Sequence, residues 1–280
     1  MTTRTASEIP SLSLLYKLRK LSAAAPGTPL PTTLLGPNTG AALPPASQSL
    51  NDRVALLRGD ITTLALDAIV NAANRSLLGG GGVDGAIHRG AGPRLYHECR
   101  ELGGCATGSA KITHGYMLPC QRVIHAVGPV YDPYDPGESE RLLTGCYTRS
   151  LELAADHGCR SVAFSAISTG IYGYPSWDAA PAALSAIRRF LEGPQGSKID
   201  KVVIVTFDMK DVDAYNELIP LYFPPVAEDE SMADHEEEAR ETEAKLEAEA
   251  KAVASELPSA PTSDPSDPGH AGKKQKQRED

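Results

Sequence analysis

The chain has 280 residues, enough for one good-sized domain with extensions or for two small ones. Its 41 % apolar content supports a true core, yet no apolar run approaches the ~20 residues needed to span a bilayer. The formal net charge of −9 lies entirely in residues 227–280, which hold 16 acidic and 7 basic side chains, and the balanced remainder argues against a broad, nonspecific nucleic-acid surface.

In chain order, the N-terminus has no continuous apolar stretch of the secretory kind. Leu12–Leu21 is a short basic amphipathic pattern, read as a surface helix packing on the domain or, less favoured, as part of a mitochondrial presequence. Residues 22–48 are rich in Ala, Pro, Thr, Gly and Ser and read as a flexible connector, so residues 1–50 are taken as an extension and 51–225 as the folded domain. Within the domain, strands are expected at Val54–Leu57, Ala68–Asn71, Ala110–Thr113, Arg122–Ala126, Ser161–Ser165 and Val202–Thr206. Helices are expected at Val83–Gly90, Pro93–Arg100, Glu138–His157, Trp177–Leu191 and Val212–Leu218. Continuous apolar strands separated by helices imply a largely parallel sheet covered on both faces. Residues 226–280 form an acidic tail: 228–256 read as a solvated Glu/Ala/Lys helix, and 257–280 are Pro/Ser/Asp-rich. The closing KKQKQRED is either a solvated tail or a nuclear address. The five cysteines are odd in number and never spaced CxxC, which disfavours a disulfide framework or a structural zinc site. Reduced thiols fit a cytoplasmic or nuclear protein.

Two loops carry the chemistry. In Asp67–Gly90 a buried strand runs into four consecutive glycines and then a helix. Glycine lets a backbone approach a ligand closely, and a helix N-terminus offers free N–H groups to an anion. Gly80, Gly82 and Gly85 satisfy the dinucleotide-binding spacing, but several residues separate the strand from the glycines. On this segment alone a Rossmann site, another diphosphate site and plain turn glycines all stand. Asp84 is either a helix-start acid or a group placed beside a ligand sugar, and His88, one turn on, either packs or titrates. In the second loop, Ser165–Pro175, a strand again leads through glycines to a helix. Two such loops at strand C-termini define a crevice that can grip a diphosphate from both sides. Asp60 either caps a turn or accepts from an exocyclic amine, and Phe207 either stacks a base or fills the core.

Taken together, GDIT at Gly59–Thr62, VNAAN at Val70–Asn74, LLGGGGVDGAIHR at Leu77–Arg89 and STGIYGYP at Ser168–Pro175 resemble the macrodomain family, in its MacroD-type branch of ADP-ribosyl hydrolases. The resemblance implies a three-layer α/β/α sandwich with a six-stranded mixed sheet. It places Asp60 and the Ile61 backbone at adenine N6 and Phe207 on the adenine face. Gly81, Gly82 and Val83 would hold the diphosphate from one side, and Ser168, Thr169, Gly170, Ile171 and Tyr172 from the other. Asn74 would bond the distal ribose, Asp84 would sit against that ribose and the reactive water, and His88 would orient Asp84. The proton then goes to Asp84 or to a phosphate oxygen. The implied substrates are ADP-ribose esterified to acidic side chains of proteins and O-acetyl-ADP-ribose. No cofactor or metal is required, and a monomer is expected. The rival readings are a non-catalytic ADP-ribose reader, which needs the glycine loops but no carboxylate at the ribose, and an NAD-dependent oxidoreductase.

Overall fold

A computed structural model describes residues 3–25, 28, 31 and 43–226. The tail helix expected over 228–256, the segment 257–280 and much of the connector 22–48 lie outside them. A short strand β1 (Arg4–Thr5) and helix α1 (Leu12–Lys17) open the chain. Helix α2 (Gln48–Arg53) follows, with the Ser47 hydroxyl accepting from the Leu50 amide at its start. Then come β2 (Val54–Arg58), β3 (Leu64–Ala65), β4 (Ala68–Ala73), α3 (Gly82–Ala91), α4 (Pro93–Glu101), β5 (Ser109–His114) and β6 (Arg122–Val127). The chain continues through α5 (Pro136–Asp156), β7 (Ser161–Ser165), α6 (Ser176–Glu192), β8 (Lys201–Thr206) and α7 (Met209–Tyr222).

Six strands form one sheet in the order β2-β8-β7-β4-β6-β5, all parallel except the β5–β6 pair. Successive side chains of a strand face opposite sides. Thus Val70, Phe164 and Ile204 pack with α5, α6 and α7, while Ile69, Ala163 and Val203 pack with α3 and α4. The result is the expected α/β/α sandwich with a mixed, largely parallel sheet.

The N-terminal segment packs on this sandwich. Arg4 and Thr5 pair with Leu64 and Ala65, and Ser11 bridges Ala55 on the outermost strand β2. Ile9 is buried among the side chains of one sheet face and Leu12 among those of the other, so the segment wraps and covers an otherwise open sheet edge. The Tyr16 hydroxyl donates to the Phe223 carbonyl at 2.7 Å, tying α1 to the end of α7. The helix expected over Leu12–Leu21 stops at Lys17, and Arg19 takes a left-handed φ of 53° just beyond it. Among the described residues no helix is long and apolar enough to cross a membrane.

Candidate active site

Parallel strands end on one edge of a sheet, so the loops that follow β4, β6 and β7 meet there. Between them lies a cleft of about 220 Å³. The first glycine loop contributes Asn74, Gly80, Gly81, Gly82, Val83 and Asp84. The second contributes Ser168, Gly170, Ile171 and Tyr172. Ala72, Ala73, Gly128, Ala166 and Ile167, none of them expected from sequence, complete the lining. The apolar floor is small-residue backbone, which lets a ligand approach peptide N–H groups. Helix α3 starts at Gly82 with Gly81 as its cap, so its first amides have no intrahelical partner, and they belong to residues lining the cleft, as an anion site requires. Ser168 holds a left-handed φ of 68°, and its buried hydroxyl has no protein partner.

Asp84 is 4 % exposed. Its Oδ1 accepts from Asn71 Nδ2 at 2.7 Å, while Oδ2 and the Asn74 amide nitrogen both flank Gly80. Burial raises its pKa above the ordinary aspartate range, against the opposing effects of the Asn71 hydrogen bond and of His88. His88 stands beside Asp84 as expected, its Nε2 within ion-pair distance of Oδ1 at 3.5 Å but without a hydrogen bond, and its ring packs beneath Gly79. The hydrogen bond to the carboxylate comes from Asn71, which the sequence reading missed. It is fully buried on β4, directly opposite His125 on β6, and its Nδ2 also reaches His125 Nδ1 at 3.1 Å. His125 Nε2 therefore carries the ring hydrogen and donates to Thr113 Oγ1 at 2.9 Å. Burial drops the His125 pKa to about 3, so the ring is neutral, and the Asn71 amide donates both ways, to the carboxylate on one side and to the His125 ring on the other.

Asn74 braces the first loop: Nδ2 donates to the Gly79 carbonyl at 2.8 Å, and Oδ1 accepts from the Ser76 amide and hydroxyl. One Nδ2 hydrogen remains for a ligand. Asp60 is exposed and caps the short turn Ile61–Thr63, accepting from the Thr62 amide at 2.9 Å; Ile61 itself is buried. Asp60 and Phe207 follow the paired ends of β2 and β8, beside the cleft and outside its lining. Phe207 is 75 % exposed, which removes core packing as its role. Thr169 turns its side chain away from the cleft onto Asp211.

Among the described residues one group could gather a metal: His88, Cys99 and His125. Its donors are poorly prepared. Both His125 nitrogens are occupied by Asn71 and Thr113, and burial pushes the Cys99 thiol up to about 12.

A model of the Macro domain family matches residues 70–183. A Macro domain-containing protein of Chlorobaculum tepidum is 56 % identical over 163 residues, which cover 58 % of this chain and 93 % of that protein. The ADP-ribose glycohydrolase MACROD1 of Bos taurus is 52 % identical over 177 residues, 63 % of this chain. The match spans 54 % of the bovine protein's length. Among solved structures, the macro domain of ganglioside induced differentiation associated protein 2 superposes with a TM-score of 0.67 at 32 % identity, over 81 % of this chain and all of that one. The Trypanosoma brucei macrodomain in complex with ADP-ribose superposes with a TM-score of 0.57 at 38 % identity, over 72 % of this chain and 94 % of that one.

Proposed function

The chain belongs to the Macro domain family, and on that premise we propose that it is an ADP-ribose hydrolase acting on ADP-ribose esters. The substrates we assign are mono-ADP-ribose on acidic side chains of proteins, and O-acetyl-ADP-ribose. The single observation that carries this reading is the Asp84 carboxylate, buried at the cleft wall, fixed through one oxygen and with the other beside Gly80, as is the Asn74 amide. A module that only reads ADP-ribose has no use for a desolvated carboxylate there, and burying one is costly.

Adenine lies over the ends of β2 and β8, between Asp60, the Ile61 backbone and Phe207. The diphosphate lies between Gly81–Val83 and Ser168–Tyr172, bonded by backbone amides. The distal ribose reaches Asn74, with a water between it and the diphosphate. Asp84 takes a proton from that water as its oxygen attacks the ester carbonyl carbon, then returns the proton to the ribose oxygen as the C–O bond breaks. A free carboxylate and ADP-ribose result. Where the acid is attached at the anomeric carbon, the bond is at once ester and glycosidic, in keeping with the name of the bovine relative. All the groups invoked come from one chain, so a monomer suffices.

The test is a panel of ester-linked, serine-linked and arginine-linked ADP-ribosyl peptides with O-acetyl-ADP-ribose. Cleavage confined to the two esters is expected. Tight ADP-ribose binding with no cleavage of any of them sinks the hydrolase and leaves a reader.

The Asn71 hydrogen bond gives a pH prediction. A base must be ionised, so kcat falls as pH drops through the Asp84 pKa, which burial already raises. Asn71→Leu removes a bond that favours the charged form. The acid limb of the kcat profile then moves to higher pH. An unmoved limb, in a variant that still binds ADP-ribose, takes Asn71 out of this role.

A further inference from the structure

The second glycine loop is held from beneath by one buried carboxylate that has no place in the chemistry above. Asp211, in the first turn of α7, is 3 % exposed. Its Oδ1 accepts from Ser176 Oγ at 2.6 Å and its Oδ2 from Thr169 Oγ1 at 3.2 Å. These two hydroxyls stand at opposite ends of the loop and are themselves buried. The neighbouring Lys210 donates Nζ to the Thr169 carbonyl. An acid in the first turn of a helix commonly serves the helix itself, by bonding its free amides. The Asp211 carboxylate is spent on the loop instead, and Asp208, which precedes α7, makes no side-chain cap.

A buried carboxylate is costly unless its hydrogen bonds are made, so releasing Thr169 or Ser176 leaves Asp211 underpartnered. The loop is therefore pinned where letting go costs most. Ser168, immediately before Thr169, keeps its left-handed backbone, a conformation that persists only where the surroundings over-determine it. Ile171, between the two anchors, is 84 % exposed and rests on Gly81 of the first loop. The anchored ends thus set where the amides of Gly170–Tyr172 point.

We propose that Asp211 is a positioning residue for the diphosphate grip: it touches no ligand but fixes the loop amides that do. This rests on the reading of the cleft as an ADP-ribose site. Because the loop holds the diphosphate while Asp84 serves the ester, loss of Asp211 acts on binding and spares the chemical step.

The experiment is calorimetric titration of the full chain with ADP-ribose, with steady-state kinetics on O-acetyl-ADP-ribose and thermal melting. Asp211→Ala is expected to raise Kd and KM about 10-fold or more while kcat stays within about 3-fold. Thr169→Val removes one anchor with little change of volume, and is expected to shift Kd in the same direction, with a lower Tm because the buried Asp211 carboxylate loses a partner. Asp211→Asn keeps an acceptor for Ser176 and is expected to recover part of the affinity lost in Asp211→Ala. Unaltered Kd in Asp211→Ala and Thr169→Val, with ADP-ribose bound by the parent chain, overturns this inference alone. So does a lower Tm in both without a change in Kd. Failure of the parent chain to bind ADP-ribose overturns the cleft reading and this inference with it.

Discussion

Asp84→Ala is expected to lower kcat on ester-linked ADP-ribose by about 10²–10⁴-fold, the usual worth of a general base, while leaving the affinity for ADP-ribose within a few-fold. The split follows from where the groups stand. In the proposed binding mode the diphosphate is gripped by backbone amides of the two glycine loops that line the cleft, and removing a carboxylate beside them disturbs no donor in the grip. Stability supplies an independent sign. Burial raises the Asp84 pKa in the folded chain above that of an exposed aspartate. The unfolded chain thus ionises at lower pH than the folded one, and the folded state carries a penalty that grows from the unfolded pKa upward and is complete above the folded pKa. At neutral pH the carboxylate is a burden that the fold tolerates. Asp84→Asn keeps an oxygen for the Asn71 amide and sheds the charge, so its Tm is expected to equal or exceed that of the parent while its kcat collapses. A carboxylate retained only for structure gives the opposite pair: lower Tm with turnover intact.

The glycine loops and Asp84 are legible in the sequence because they are contiguous: strand, glycines and helix start lie within one short stretch, and local backbone physics suffices to read them. Strand and helix positions follow from apolar runs, although α7 begins at Met209, earlier than the apolar pattern at Val212 suggests, because charged residues Asp208, Lys210 and Asp211 dominate its start. The orienting group is another matter. Asn71 lies in the middle of the apolar strand Ala68–Ala73, and a buried amide there must find partners. That signal was present, as was His125 within the equally apolar Arg122–Val127. Neither could be paired with Asp84 without the register that sets Asn71 opposite His125, which a single sequence does not encode locally. The proximity of His88 to Asp84 is legible because helical spacing is visible in one dimension, whereas cross-strand pairing is not. The same holds for Asp211, more than thirty residues from the loop that it anchors. The packing of Leu12 is legible because it opens the amphipathic pattern, whereas Ile9, a lone apolar residue before Pro10, makes no periodic pattern, so the wrap around the sheet edge is not.

Gly128→Ala is expected to weaken ADP-ribose binding about 5- to 150-fold, the range that an overpacking cost of about 1–3 kcal/mol produces if it falls on the binding loop. Gly128 follows β6 and lines the cleft beneath the second loop. A Cβ there would run into Ser168 Oγ and come within 2.6 Å of Ile167 Cγ2. Backbone conformation is not the obstacle; space is. The loop has little room to retreat, since Ser168 already occupies a left-handed backbone and Thr169 beside it is tied to Asp211 and Lys210. The clash therefore moves the very residues whose amides and hydroxyl are proposed to hold the diphosphate. Gly59→Ala is the control, because a Cβ at Gly59 meets nothing within 4 Å. Ser168→Gly in the Gly128→Ala background removes the obstructing hydroxymethyl group and the backbone strain together. The double variant should regain Tm relative to Gly128→Ala without regaining full affinity, because a buried hydroxyl at the cleft is lost. Coupling of this kind is measured as the departure from additivity in the four-variant cycle. Parent-like affinity and Tm in Gly128→Ala would show that the second loop is not packed against Gly128 tightly enough to be set by it.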